Sequence, residues 1–195
     1  MNKVTLLQYR NQQYLETDID KIISGCKRKS YRYQKKLYDT YSSLLYAICY
    51  RYFRNAEDAS DCLQDAFIKI YDKIETFKNE GSFEGWIKRV QVNTCLMHLR
   101  SRKKQVFLED LSESVQIEEE DEDEDFLNIP PKVLFTLIQD LPAGYRTVFN
   151  LYVLDGYNHK EIAVELGLSV GTSKSQLARA KKVLKEKLQV YINER

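Results

Sequence analysis

Lys174, Arg179, Lys181 and Lys182 recur on one side of a 3.6-residue period, together with the short or polar side chains of Thr172, Ser175 and Ala178. Cations in that arrangement can reach phosphates or guanine edges, and short side chains near a helix start let its backbone approach a DNA groove closely. A plain amphipathic helix with a solvated basic side has the same pattern. A second group places Asn79, Ser82, Phe83 and Trp86 beside Lys88, Arg89 and Asn93, with Arg100, Arg102, Lys103 and Lys104 farther along. Cations track a phosphate backbone, while aromatics and amides near a loop receive unstacked bases. Against this, Trp86 can be core, and cations suit any helix C-terminus. Periodicity alone does not decide between the two.

Covalent chemistry fits the sequence poorly. The only histidines are His98 and His159, and neither belongs to a Ser/His/Asp set or a metal cluster, nor is there a phosphate-binding glycine loop. Cys26, Cys49, Cys62 and Cys95 form no CxxC pair. Zinc ligands usually come in closely spaced pairs, so reduced, mostly buried thiols are expected. The chain is read as having no catalytic residue, no metal and no cofactor, and as not being an enzyme.

The elements that must position these groups are helices. Gly (7) and Pro (3) are scarce in 195 residues, which disfavours turn-rich β architecture. Leu37, Tyr41, Leu44, Leu45, Ile48 and Tyr52 keep a helical register, as do Ala59, Cys62, Leu63, Ala66, Phe67, Ile70 and Ile74. Asn55 is the expected N-cap of that second helix, with Glu57 and Asp58 in its first turn. Its other face carries Asp58, Asp61, Gln64, Asp65, Ile68 and Asp72, and an isoleucine among acids hints at a protein-contact patch. Phe83, Trp86, Ile87, Val90, Thr94 and Met97 form the stripe of a third helix. Asn158-His159-Lys160-Glu161 has capping-box spacing ahead of a short helix that Gly167 would end. Ser169 would cap the next helix, with Val170, Ser173, Leu177, Ala180 and Leu184 facing inward. Two helices joined by a tight glycine turn make a helix-turn-helix.

Charge divides the chain. Residues 1–104 carry 20 Lys/Arg against 12 Asp/Glu, residues 105–131 none against 11, and residues 132–195 carry 10 against 6, so a net +1 conceals two basic segments around an acidic one. The run Glu118 to Asp125 repels itself and is expected to be disordered, and Pro130-Pro131 would open the helix that follows it. The expected organisation is all-α: an extension over 1–20, a helical domain over 21–104, a flexible acidic linker over 105–131, and a helix-turn-helix domain over 132–195. No apolar run approaches the ~18 residues of a membrane span, and the start of the chain lacks the apolar core of a signal peptide, so a cytoplasmic location is expected.

At this point two sets of motifs resemble a known family. Asn55-Ala56-Glu57-Asp58-Ala59 through Leu63-Gln64-Asp65-Ala66-Phe67-Ile68-Lys69-Ile70-Tyr71, and Gly81-Ser82-Phe83-Glu84-Gly85-Trp86-Ile87 through Val92-Asn93-Thr94, are similar to the first domain of extracytoplasmic-function sigma factors. Leu141-Pro142, Tyr145-Arg146-Thr147-Val148-Phe149, Asp155-Gly156-Tyr157, Leu166-Gly167-Leu168-Ser169 and Gly171-Thr172-Ser173-Lys174-Ser175 resemble the second. The resemblance implies a subunit that binds RNA polymerase core enzyme, recognises −35 and −10 promoter elements and promotes opening without ATP. Asp58, Asp61, Leu63, Gln64, Asp65 and Ile68 would dock on the clamp coiled coil of the largest subunit, and the second domain would meet the flap of the second-largest. Asn79, Ser82, Phe83, Trp86 and Asn93 would hold an unpaired −10 base, and Lys88, Arg89, Arg100, Arg102, Lys103 and Lys104 that strand's backbone. Thr172, Lys174, Ser175, Ala178, Arg179 and Lys182 would read the −35 element. An anti-sigma partner is implied as well, and the acidic linker is expected to thread basic channels of the polymerase.

Three positions depart from the family pattern. Met97 replaces an acidic residue common in relatives, Ser173 replaces an apolar one, and Tyr152 stands where some relatives carry a basic residue. Two other readings compete: an operator-binding helix-turn-helix regulator that works without polymerase, and a helical adaptor that binds only proteins.

Overall fold

The computed structural model describes residues 18–101 and 130–193, all of them helix, turn or coil. Helix α1 spans residues 18–27, α2 is Tyr31–Tyr52, α3 is Ala56–Lys73 and α4 is Phe83–Ser101. After the acidic stretch come α5 (Pro131–Gln139), α6 (Ala143–Phe149), a five-residue π-helical turn (Asn150–Leu154), α7 (His159–Leu166) and α8 (Val170–Asn193). The acidic run, Arg102, Lys103 and Lys104 lie outside the described residues.

Local chemistry accounts for the helix ends. Asn55 Oδ1 accepts from the Asp58 amide at 2.7 Å and so caps α3. Pro131 occupies the first turn of α5, where a missing N–H costs nothing. Asn158 accepts from the Lys160 and Glu161 amides at 2.9 and 3.0 Å, and the Glu161 carboxylate returns a bond to the Asn158 amide at 2.8 Å. Gly167 ends α7 at φ 66°, a left-handed conformation that a side chain would strain.

The chain forms two compact units, and helices α2, α3 and α4 each contribute to both. One unit combines residues up to 48 with residues 60–94. Its core contains Leu37, Leu45, Phe67, Ile70, Ile74 and Ile87, all buried. Burying each such side chain stabilises by about 1.5–3 kcal/mol relative to exposure. The Tyr71 hydroxyl, which bridges α3 to α2, donates to the Gln34 carbonyl at 2.9 Å.

The other unit combines residues 49–59 with residues from 95 onward. Leu96, Leu141, Leu151, Ile162, Leu184 and Tyr52 are buried in it. The end of α2 explains much of its cohesion. The last carbonyls of a helix have no partner within it and must find one elsewhere when buried. Cys49 O receives the Phe53 amide at 3.0 Å, Arg51 O receives Asn150 Nδ2 at 2.9 Å, and Tyr52 O receives the Arg146 guanidinium at 3.4 Å. Gln139 Nε2 donates to Tyr50 O. Arg146 also donates to Gln139 O at 2.8 Å and Leu141 O at 3.1 Å, and its cation sits where the α2 dipole favours positive charge. Burial, and then the nearby Arg54, lower the Arg146 pKa to about 10. Asp155 completes the network by accepting from Arg51 at 2.8 Å and from the Tyr52 hydroxyl at 2.5 Å.

The four cysteines are buried and none forms a disulfide. Among the described residues no helix is long and apolar enough to cross a membrane.

Candidate nucleic-acid interface

The 79–83 loop and the start of α4 stand on an aromatic cluster. Phe83 stacks on Trp86 with ring centroids 5.7 Å apart, and Phe77 meets Phe83 edge-on at 5.2 Å and Trp86 at 5.6 Å. Tyr41 closes the far side of Phe83 at 6.0 Å. Phe83 is therefore only 6% exposed, which corrects its assignment as a base-contacting ring. Packing against three rings leaves it little free surface, and it acts as the floor under half-buried Trp86. Asn79, Gly81 and Ser82 are exposed above it. Asn79 takes φ 59° and Gly81 φ 91°, so the loop reverses sharply before α4. Ser82 Oγ accepts from the Gly85 amide at 3.0 Å and caps α4. A Cβ on Gly85 would lie 2.9 Å from that oxygen, so only glycine leaves the cap undisturbed.

The cations of α4 differ in their engagement. Arg89 is exposed, as is the neighbouring Asn93. Lys88 pairs with Glu84 at 2.6 Å, one turn back. Arg100 pairs with Glu165 of α7 at 2.7 Å and also donates to the Glu165 carbonyl. Met97, expected in the inward stripe, is 52% exposed, because it lies on the margin shared with half-exposed Trp86 and Val90.

Helix α3 presents Asp61, Gln64, Asp65 and Ile68 together, with Ile68 57% exposed among acids. Asp58 begins this face and is held by Asn55, whose Nδ2 donates to it at 2.8 Å. Leu63 does not belong there. Two residues from Asp61, it lies about 200° around the helix, and it is buried with 6% exposure. Its assignment to a partner surface is corrected to core.

In α8, Ser169 Oγ accepts from the Thr172 amide at 2.9 Å and caps the helix. Lys174 and Lys182 are exposed, while Thr172, Ser175, Ala178 and Arg179 are half-buried along the same side. The Arg179 guanidinium lies 3.5 Å from the Tyr145 hydroxyl, which orients it from α6. Ser173, Leu177, Ala180 and Leu184 face inward, whereas Val170, at the first position of the helix, is 39% exposed. Ser173 is fully buried and meets His159 Nδ1 at 2.9 Å, and Tyr152 stacks on the His159 ring at 4.5 Å. Burial and then Lys174 hold the His159 pKa below its ordinary value.

Glu84, Gly85, Tyr145 and His159 were not expected at these surfaces. Glu84 could have been found from its four-residue spacing to Lys88. The partners of Tyr145 and His159 lie 34 and 14 residues away, beyond any local pattern.

The Sigma-70 region 2 family model matches residues 37–105, and that for Sigma-70 region 4 matches residues 132–184. The ECF RNA polymerase sigma-E factor of Haemophilus influenzae is 30% identical over 142 residues, which are 68% of this chain and 75% of that protein. This chain belongs to the extracytoplasmic-function sigma factors. The ECF RNA polymerase sigma factor SigW of Bacillus subtilis is 28% identical over 184 residues, 89% of this chain and 98% of that protein. The RNA polymerase sigma-H factor of Pseudomonas aeruginosa is 27% identical over 164 residues, 79% and 85% of the two chains. A solved structure of the sigma factor RpoE with the anti-sigma factor NepR from Bartonella quintana aligns with a TM-score of 0.49 at 21% identity, covering 80% of this chain and 96% of that one. The sigma factor described here is thus a promoter-recognising transcription initiation factor.

Proposed function

We propose that this sigma factor divides promoter recognition among three surfaces. The exposed face of α3, with Asp58, Asp61, Gln64, Asp65 and Ile68, docks on the clamp coiled coil of the polymerase's largest subunit. The loop Asn79 to Ser82, with Trp86 and Asn93, receives an unpaired −10 base. Unstacking a base costs on the order of a few kcal/mol, and stacking on an aromatic returns about 1–3 kcal/mol per base. Lys88 and Arg89, followed by Arg100, Arg102, Lys103 and Lys104, hold that strand's phosphates. The side of α8 that carries Thr172, Lys174, Ser175, Ala178, Arg179 and Lys182 enters the major groove at −35, and its domain meets the flap of the second-largest subunit. The protein has no enzymatic activity of its own, works in the cytoplasm, and takes an anti-sigma partner, as the RpoE of Bartonella quintana does with NepR. Its acidic linker threads basic channels of the polymerase.

The observation that carries this reading is half-exposed Trp86, supported from below by Phe77 and Phe83 beside a reversed polar loop. A protein-only adaptor has no use for such a stacking platform, and a stand-alone operator binder has no use for the apolar Ile68 among the acids of α3. The test is run-off transcription with purified bacterial core enzyme on a promoter library. Promoter-dependent transcripts that vanish with Trp86→Ala, while core binding persists, are expected. Failure of the unaltered chain to associate with core enzyme refutes the proposal.

A further inference from the structure

Two of the three departures from the family pattern meet at one side chain. Tyr152 belongs to the π-helical turn and Ser173 to the first turns of α8, 21 positions apart in the sequence. His159 touches both: its ring stacks on Tyr152 at 4.5 Å with an interplanar angle of 22°, and its Nδ1 lies 2.9 Å from Ser173 Oγ. The capping box of Asn158 and Glu161 makes His159 the first residue of α7, which fixes where the ring emerges. Ser173 has no exposed surface, so its hydroxyl depends on that ring for a partner. A buried hydroxyl left unpaired is costly, whereas replacing both partners by apolar groups is nearly neutral.

We propose that His159 is a positioning residue for −35 recognition, setting the pitch of α8 by joining the π-helical turn, the start of α7 and the start of α8 through Tyr152 and Ser173. Lys174 and Ser175, which the proposed function places at the DNA, directly follow Ser173, so a shift at this joint moves them together. Neutral imidazole suits the role, since burial and the neighbouring Lys174 both disfavour its charged form. This inference rests on the reading of α8 as the −35 helix.

The test uses holoenzyme on a promoter selected from a library by the unaltered protein, with transcription compared between the intact and a scrambled −35 element. His159→Ala and Ser173→Val should each lower that ratio about fivefold or more, because each breaks the joint. The pair His159→Leu with Ser173→Val should recover most of it, because no polar group is then left unmatched. Single variants that keep the full ratio overturn the proposal. So does a double variant as defective as the singles, since the two side chains then do not act through each other. Thermal melts of each variant identify simple unfolding of this domain, which would itself erase the −35 preference; a ratio that falls only in variants already unfolded at the assay temperature therefore also overturns the proposal. An unaltered holoenzyme indifferent to the −35 sequence would defeat the reading of α8 itself, and is distinguishable because it appears before any substitution.

Discussion

Asp155→Ala tests the account of how residues 49–59 are tied to the C-terminal helices. The Asp155 carboxylate accepts from Arg51 at 2.8 Å and from the Tyr52 hydroxyl at 2.5 Å, with side-chain exposures of 18% for Arg51 and 10% for Asp155. Tyr52 is 1% exposed, and burial, then the Asp155 charge and hydrogen bond, hold its phenol well above the usual value, so it stays a donor. Removing the carboxylate leaves that phenol unmatched and Arg51 without its counter-charge. Breaking a largely buried pair in this way costs about 3–5 kcal/mol. Tyr52→Phe removes one bond and leaves the ion pair, so it should cost about 1.5–3 kcal/mol, the range for a hydrogen bond to a charged group. Asp155→Ala added to Tyr52→Phe should then cost less than the sum of the two, because both act on one contact. Native-state hydrogen exchange reads the loss locally, at the amides of residues 146–151, which open only if α6 and the π-helical turn detach. Protection there that stays within about 0.5 kcal/mol of the unaltered protein in Asp155→Ala would refute the reasoning.

Three further outcomes follow from the geometry. Ile68→Glu should weaken association with core enzyme at least tenfold with no change in melting, while Leu63→Ala should instead cost about 2–5 kcal/mol of stability as a core truncation; titration with core enzyme and a denaturant melt separate the two. Glu84→Gln should release Lys88 from its 2.6 Å pair and steepen the salt dependence of open-complex formation on promoter DNA, because one more cation becomes available to phosphate. The lowered pKa of His159 means that the unfolded chain takes up the proton more readily. The stability contributed by the neutral ring is therefore whole above the ordinary imidazole value, about 6.5, and is lost as pH falls through the lowered one. Melting at pH 7.5 and pH 5 should show this, and His159→Gln should reduce the difference.

Legibility in the sequence followed the range of the interaction. The Asn158–Glu161 capping box, the Gly167 stop, the Asn55 and Ser169 caps and the placement of Pro131 all depend on residues within one helical turn, and each was found where the spacing put it. Helical periodicity sorted Ile68 from Ala66 and Ile70 for the same reason. Leu63 shows its limit: the family motif assigned it to a partner surface, while its angle on α3 had already placed it inside. Phe83 shows another, because two of the rings that enclose it come from Tyr41 and Phe77, outside its own helix.

Residue identity alone determined that this chain is helical, that its basic segments flank an acidic one, and that a glycine-turned helix pair carries cations on one side. These follow from backbone hydrogen bonding within four residues, from side-chain spacing and from summed charge, none of which needs a folded partner. Only the tertiary structure decided that the carbonyls ending α2 are satisfied by Gln139, Arg146 and Asn150, that Arg100 is already paired, and that Tyr152, His159 and Ser173 form one joint. The reason is common to most of them. A helix terminus, a buried hydroxyl or a half-buried cation requires some polar partner, but the need does not say which distant residue will meet it, and that choice is made when the helices pack.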